Sequence, residues 1–252
     1  MSTQVTIIGF GTMGQAIAQA ISKKDKNIVV FGIDKEKSNL HKIIQEVPKA
    51  DFVILATKPQ DAKEALGEIK NHLNKKTILI SIMAGVSIKE ISTLSGHKKI
   101  IRMMPNLGLV VGQGIAVWKK VGLSNLEAKK AKNFINKISE NFEIKNEDTI
   151  NKVTAISGSG PAYFFLLADS LVKAANSLGL NKNESRQLVE KTFSAAAVLG
   201  KESDYFSLIQ KVASKGGTTE AAVKVFKDQD FSGIISKAVA AAYKRAQELS
   251  NE

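Results

Sequence analysis

Three glycines near the start of the chain have the spacing of a phosphate-binding turn. They occur within Gly9-Phe10-Gly11-Thr12-Met13-Gly14, directly after the apolar run of residues 5–8. In such a turn the first glycine permits a tight bend, the second lets the backbone approach a pyrophosphate, and the third lets a helix pack on the strand. The alternative is a glycine turn without a ligand. The strand before it and the helix pattern after it favour dinucleotide binding by Gly9, Gly11, Thr12, Met13 and Gly14.

An acidic residue, Asp34, ends the second predicted strand, 20 residues after Gly14. A carboxylate in this position accepts hydrogen bonds from the ribose 2′-hydroxyl of NAD and repels the 2′-phosphate of NADP. Lys35 and Lys37 follow it and offer positive charge to a phosphate. The alternative role for Asp34 is to cap the following turn, so the sequence leaves the choice between NADPH and NADH open.

Strand and helix patterns alternate through the first half of the chain. Apolar runs typical of buried parallel strands occur at residues 5–8, 28–31, 52–56, 77–81, 100–104 and 114–118. After about residue 148 the strand patterns end, and helical patterns follow at residues 161–178, 182–200, 217–227 and 230–249. We therefore predict an α/β fold with a Rossmann-type doubly wound parallel sheet over residues 1–148 and an all-α C-terminal domain over residues 149–252.

Composition excludes several classes of protein. The 252 residues are 44% hydrophobic and include no cysteine, so we expect a buried core but no disulfide, thiolate metal site or cysteine nucleophile. No metal is expected. The absence of an apolar run of about 18 residues argues against a membrane span. Because the glycine motif begins at Gly9, we expect no signal peptide and a cytoplasmic protein.

The positive charge does not have the form expected of a nucleic-acid-binding protein. The net charge is +12, yet only Arg102, Arg186 and Arg245 are arginines, and aromatic residues make up 6% of the chain. Base-reading and single-strand-binding proteins rely on arginine and stacking aromatics. We expect no nucleic-acid partner, and a positive field that favours anionic small molecules.

Six segments, in order along nearly the whole chain, resemble those of the pyrroline-5-carboxylate reductases. They are Gly9–Gly14, Ala56–Gln60, Ser81–Val86, Arg102–Asn106, Val153–Tyr163 and Ser214–Thr219. The resemblance implies that the enzyme reduces 1-pyrroline-5-carboxylate to L-proline with NADPH or NADH, in the last step of proline biosynthesis. It also implies that the C-terminal domain is a dimerisation and substrate domain, within a homodimer or higher homo-oligomer.

The resemblance also implies roles for individual residues. The nicotinamide half of the cofactor site would be lined by Ala56, Lys58, Pro59, Ala84 and Gly85. The substrate would be bound by Ser159, Gly217, Thr218 and Thr219. Thr219, the polar group expected nearest the imine, and Lys58 would be the catalytic residues.

Two clusters of small residues carry the predicted substrate site. Ser157–Gly160 is predicted to be a turn, with Pro161 at the first position of the next helix. Gly216–Thr219 is predicted to be a second turn before a helix. Two helix N-termini with free amides would bind a carboxylate, although capped helix starts without a ligand are the alternative.

No histidine is expected to act in the reaction, and His41, His72 and His97 are predicted to lie at the surface. Two alternative functions remain open from the sequence. One is a related NAD(P)-dependent imine or hydroxyacid oxidoreductase, and the other is a non-catalytic nucleotide-binding paralogue.

Overall fold

The structure, a computed structural model, describes residues 2–34 and 40–250 and divides into two compact units. The first unit combines Met1–Ser159 with Ala241–Glu252, and the second is Gly160–Ala240. The sheet and its covering helices belong to the first unit. The second unit is built from helices alone in the residues described.

A seven-stranded sheet forms the first unit. Its strands are β1 (Thr3–Ile8), β2 (Ile28–Ile33), β3 (Phe52–Leu55), β4 (Ile78–Ser81), β5 (Ile100–Pro105), β6 (Ile115–Val121) and β7 (Glu140–Glu143). They are arranged in the order β2-β1-β3-β4-β5-β6-β7. β6 runs antiparallel to β5, and the other neighbouring pairs are parallel. The predicted Rossmann-type sheet is confirmed, with β6 reversed relative to the prediction.

Alternating side chains of the central strands supply two separate cores, one on each face of the sheet. In β3, for example, Phe52 and Ile54 belong to the core beneath the first and fifth helices, whereas Val53 and Leu55 belong to the core on the opposite face. The Phe52 ring stacks on the Phe134 ring with 4.1 Å between their centroids. Burial on both faces explains why these strands are continuously apolar.

Helices of the first unit follow the strands. They are α1 (Thr12–Lys24), α2 (Leu40–Glu46), α3 (Ala62–Ile69), α4 (Ile88–Ser95), α5 (Asn125–Ile138) and α6 (Asp148–Val153). Short 3₁₀ turns occupy Val47–Lys49, Pro59–Asp61, Lys70–His72 and Leu107–Val111. Serine side chains cap two of the helices: the Ser87 hydroxyl accepts from the Glu90 amide of α4, and Ser124 forms a capping box with Glu127 of α5.

The later helices are α7 (Gly160–Ser177), α8 (Lys182–Leu199), α9 (Tyr205–Val212), α10 (Thr218–Asp228) and α11 (Phe231–Leu249). Four of them match the predicted helical patterns to within a residue or two. Helix α9 was missed; it is short, and the Asp204 carboxylate caps it by accepting from the Ser207 amide. Helix α11 begins in the second unit and ends in the first. Across residues 2–34 and 40–250, no helix has both the length and the apolar character that a membrane span requires.

Two local predictions are wrong. Ser157–Gly160 is not a turn: Thr154–Gly158 is a π-helical segment, and the Ser159 amide donates to the Thr154 carbonyl at 2.8 Å. Pro161 has no amide hydrogen to donate to the preceding turn, and a widened π turn accommodates such a residue without ending the helix. His97 is buried rather than at the surface, with its Nε2 atom 2.7 Å from the Thr77 carbonyl oxygen.

Candidate active site

The glycine turn follows β1, which lies at the topological switch point of the sheet. From β1 the chain moves to β2 on one side and later to β3 on the other. Ligands of open α/β sheets bind at the carboxyl ends of strands at such a switch point. The turn after β1, Asp34 after β2, and the loops after β3 and β4 all lie at this edge because these neighbouring strands are parallel.

Gly9 is required by the packing of the turn. It has a φ of +89°, and its amide donates to the Ile33 carbonyl at 2.8 Å. A Cβ atom on Gly9 would lie 2.6 Å from the Thr57 nitrogen and 2.7 Å from the Ala56 carbonyl carbon. Only a glycine allows the turn to sit this close to the loop after β3.

Gly14 and Gly11 meet different surroundings. A Cβ atom on Gly14 would lie 2.4 Å from the Gly9 carbonyl oxygen, so this glycine lets α1 pack against the turn. Around the corresponding position of Gly11, no heavy atom of the described residues lies within 4 Å. Gly11 is also the N-cap residue of α1 and has no side chain to bond the helix amides. At Gly11 open space therefore coincides with the backbone amides of the first helical turn, a combination typical of anion-binding helix N-termini.

The two other predicted cofactor-binding residues of the turn are also placed at the start of α1. Thr12 is its first residue and is exposed, and Met13 is half-buried beside it. Their backbone amides belong to the first turn, which has no intrahelical acceptors. The first turn contains no acidic side chain, so nothing in it opposes an anion electrostatically.

The loops after β3 and β4 are joined by hydrogen bonds. The Ile82 amide donates to the Leu55 carbonyl at 3.0 Å, and the Thr57 hydroxyl lies 3.2 Å from the Met83 sulfur. The structure thereby holds together the two segments that contain the expected nicotinamide-lining residues. In the first segment Ala56 and Pro59 are half-buried and Lys58 is exposed; in the second, Ala84 is half-buried and Gly85 is buried.

Asp34 follows β2 directly and is exposed. The carbonyl of the preceding residue, Ile33, accepts a hydrogen bond from the Gly9 amide, so the backbone at Asp34 follows directly on the strand end that contacts the glycine turn. In dinucleotide-binding folds, the acidic residue that bonds the ribose 2′-hydroxyl occupies this position. Lys35 and Lys37, the candidate phosphate-binding lysines, lie outside the described residues.

The expected substrate residues Gly217, Thr218 and Thr219 form the start of α10 in the second unit. The predicted turn before this helix is present at residues 215–217, whereas Thr218 and Thr219 already belong to the helix. Gly217 is the N-cap residue, and its amide donates to the Ser214 carbonyl at 2.9 Å. The Glu220 carboxylate folds back to accept from the Gly216 amide at 2.7 Å. Thr218 is exposed and Thr219 half-buried, whereas Ser159 lies at the end of the π-helical segment in the first unit.

Comparison with known proteins agrees with this arrangement over the full chain. Residues 147–249 match the profile of the pyrroline-5-carboxylate reductase dimerisation family, and residues 4–85 match that of coenzyme F420-dependent NADP oxidoreductases. A pyrroline-5-carboxylate reductase of Aquifex aeolicus is 34% identical over 266 residues, which cover 99% of this chain and 98% of that protein. The chain belongs to the pyrroline-5-carboxylate reductase family.

Solved structures of the reductase family share the fold. The pyrroline-5-carboxylate reductase of Coxiella burnetii superposes with a TM-score of 0.84 and 31% identity, covering 99% of both chains. A pyrroline carboxylate reductase of Plasmodium falciparum, solved with NADP bound, gives a TM-score of 0.85 and 27% identity over 98% of both chains. The Rossmann-type domain and the helical domain that matches the dimerisation profile are therefore those of this family.

Sequence analysis missed two features near the site. A Cβ atom on Gly32 of β2 would lie 2.2 Å from the Phe10 ring, so Gly32 makes room for the aromatic residue of the turn. A glycine inside a strand is the sequence signal for such a close approach. The second is Arg102, which is 1% exposed and forms an ion pair with Glu147, with 2.8 Å between Nη1 and Oε1. Nothing local in the sequence identifies its partner.

Proposed function

We propose that this chain reduces 1-pyrroline-5-carboxylate to L-proline with NADPH or NADH, as the last step of proline biosynthesis. The observation that carries the proposal is the full-length relationship to the reductases, combined with an open, uncapped glycine turn at the sheet's switch point. We take residues 1–148 as the dinucleotide-binding domain and residues 149–252 as the dimerisation and substrate domain, although residues 149–159 and 241–252 belong to the first compact unit.

The residues of the first unit hold and orient the cofactor. The amides at the start of α1 bind the pyrophosphate, and Asp34 bonds the adenosine ribose. Ala56, Lys58, Pro59, Ala84 and Gly85 line the nicotinamide half. The bound cofactor supplies the hydride that the imine carbon accepts, and the protein contributes orientation and exclusion of water.

The start of α10 and Ser159 bind the substrate. Gly217 leaves the N-cap position of α10 without a side chain, and the Thr218 amide, in the first turn of that helix, binds the substrate carboxylate. The Thr219 hydroxyl faces the ring nitrogen, where it positions the imine and relays the proton that accompanies reduction. Lys58, at the end of the loop after β3, contributes positive charge beside the reacting groups.

Steady-state oxidation of NADPH and NADH in the presence of 1-pyrroline-5-carboxylate tests the activity. Thr219→Val retains the side-chain shape and removes the hydroxyl, and we expect it to lower kcat by roughly 10- to 100-fold with normal folding and cofactor binding. Thr93→Val is a matched control, because the Thr93 hydroxyl bonds only its own helix, at the Lys89 carbonyl, on an exposed face. Full turnover in a Thr219→Val enzyme that has lost about 1 kcal/mol of stability would assign the hydroxyl to helix capping instead.

Two other functions give different results in the same assays. A related imine or hydroxyacid oxidoreductase would turn over another member of a substrate panel faster than 1-pyrroline-5-carboxylate. A non-catalytic paralogue would bind the cofactor without oxidising it.

The second unit accounts for the dimer. Many large apolar side chains are exposed in it, including Phe164, Phe165, Leu166, Leu188, Tyr205, Phe206, Ile209, Phe226 and Ile234. A surface this apolar is typical of a protein–protein interface. The homodimer forms through these helices, and a monomer in light scattering would contradict this assignment. A cytoplasmic location and the lack of a nucleic-acid partner stay predictions.

A further inference from the structure

We propose that the end of α11 and the residue after it, Tyr243–Ser250, position the cofactor loop. By the cofactor loop we mean residues 82–87, between β4 and α4, which include Ala84 and Gly85. Both segments belong to the first unit. This inference rests on the proposed contact of Ala84 and Gly85 with the nicotinamide.

The first observation is the approach of Leu249 to Gly85. Gly85 has a φ of +75°, and a Cβ atom built on it would lie 2.3 Å from the Leu249 Cβ and 2.9 Å from the Leu249 carbonyl carbon. The helix end thus occupies the space that a side chain at position 85 would need. Gly85 is buried in this contact, so the cofactor loop has the end of α11 as its supporting surface.

Hydrogen bonds fix the end of α11 to α6. The Tyr243 hydroxyl lies 2.9 Å from Asp148 Oδ2 and 3.1 Å from Oδ1. The Ser250 hydroxyl donates to the Ala246 carbonyl at 2.9 Å and also lies 3.3 Å from Asn151 Oδ1, and Ala246 is 4% exposed. The helix end is therefore held by two polar contacts on either side of a buried apolar one.

The same polar network reaches the other end of the cofactor loop. Arg102 of β5 donates from Nη2 to Asn151 Oδ1 at 3.1 Å and from Nη1 to Glu147 Oε1 at 2.8 Å. That Glu147 oxygen also accepts from the Ile88 amide at 2.8 Å, directly after the loop. The loop is consequently supported at Gly85 by Leu249 and fixed at Ile88 through Glu147.

Removal of the C-terminal support should shift the loop without unfolding the sheet, whose central strands are held by the two cores on its faces. Displacement of a reacting group by about 1 Å costs up to roughly 100-fold in rate. We therefore expect misplacement of Ala84 and Gly85 to weaken NADPH binding and to lower kcat. The KM for the imine should change little, because Gly217, Thr218 and Thr219 belong to the other unit.

The test is a chain that ends at Ala242, compared with a chain that ends at Ser250. NADPH affinity is measured by fluorescence titration, and kcat and KM by cofactor oxidation. In the shorter chain we expect the NADPH Kd to rise about tenfold and kcat to fall about tenfold, with the dimer intact in light scattering. The double variant Tyr243→Phe, Ser250→Ala removes only the two hydroxyl groups and should show the same changes at about threefold.

Unchanged NADPH Kd and kcat in a folded variant would overturn the proposal. The double variant decides the question if the shorter chain does not fold. A lower thermal midpoint with wild-type Kd and kcat would also overturn it, because that is the signature of a merely structural contact. Failure of the proposed function gives a different result from failure of this inference. In that case the wild-type protein would bind NADPH without reducing the imine, and the NADPH Kd values of wild type and variants could still be compared.

Discussion

Replacement of single glycines in the turn by alanine separates the glycine that the fold requires from the one that the cofactor requires. At Gly11 the backbone has φ −77° and ψ −161°, an extended conformation open to alanine, and the added methyl group enters open space. At Gly14 the methyl group would lie 2.4 Å from the Gly9 carbonyl oxygen and 3.3 Å from the Ile7 side chain. The methyl group of Gly11→Ala thus lies in the space expected for the ligand, whereas that of Gly14→Ala overlaps with protein atoms.

The expected magnitudes follow from these surroundings. In Gly14→Ala the overlap is with backbone, which cannot rotate away; overpacking of this kind costs about 1–3 kcal/mol, against a gain of about 1 kcal/mol in helix propensity. Because the overlap with the Gly9 carbonyl oxygen is severe, at 2.4 Å, the cost lies at the upper end of that range. The resulting net loss of about 2 kcal/mol lowers the thermal midpoint by roughly 4–8 °C in a chain of this size. Gly11→Ala should leave the midpoint within about 2 °C of the wild type. The same overpacking cost, exerted on a bound pyrophosphate, weakens cofactor binding by roughly 5- to 150-fold.

Differential scanning fluorimetry without cofactor and fluorescence titration with NADPH measure the two effects on one preparation. The prediction is a crossed result: Gly11→Ala is stable and binds poorly, and Gly14→Ala is destabilised. Wild-type affinity in Gly11→Ala would refute the approach of a pyrophosphate to this glycine. An unchanged midpoint in Gly14→Ala would show that α1 shifts freely, and would contradict the close packing of helix and turn.

The remaining predictions concern single charges. Asp34→Ser should improve the use of NADPH relative to NADH by about tenfold or more, because it removes a negative charge from beside the 2′-phosphate; an unchanged ratio of kcat/KM values would show that Asp34 does not read the ribose. Hydrogen bonds from Lys99 and Ser124 hold the pKa of Glu127 at about 2, below its usual 4.5. This lowered pKa stabilises the fold above about pH 4.5, and the stabilisation is lost as the pH falls towards 2. Thermal midpoints of wild type and Glu127→Gln should therefore differ most near neutral pH and converge near pH 2, and a constant difference would contradict the assignment.

Most of the sheet was predictable because β1, β3, β4 and β5 are buried on both faces and therefore continuously apolar. The residues of β6 do not predict whether it runs parallel or antiparallel to β5, because an apolar run is compatible with both directions. The connection before it contained the information. Fewer than a dozen residues join Pro105 to Ile115, and a parallel crossover needs a dozen or more. A length criterion applied to that connection would have predicted the antiparallel pairing.

Features that depend on long-range contacts could not be predicted. Arg102 lies 45 residues from Glu147 and 49 from Asn151 along the chain, and the sequence does not pair them. The return of α11 to the first unit is of the same kind, because its residues have an ordinary helical pattern throughout. The π-helical segment was not predicted for a local reason: Ser157–Gly160 has the composition of a turn, although its backbone stays helical.

The glycines of the site show why a motif alone does not reveal what each residue does. Gly9 and Gly14 are required by backbone atoms 2.4–2.8 Å from where their Cβ atoms would be, and Gly85 is required by Leu249 at 2.3 Å. These three would be needed even in a protein that binds nothing. Gly11 has no such neighbour among the described residues, and it starts a helix whose amides it cannot cap. Open space occurs around other glycines too, so the argument for a ligand depends on the combination of space, amides and switch point, and Gly11 is where all three meet.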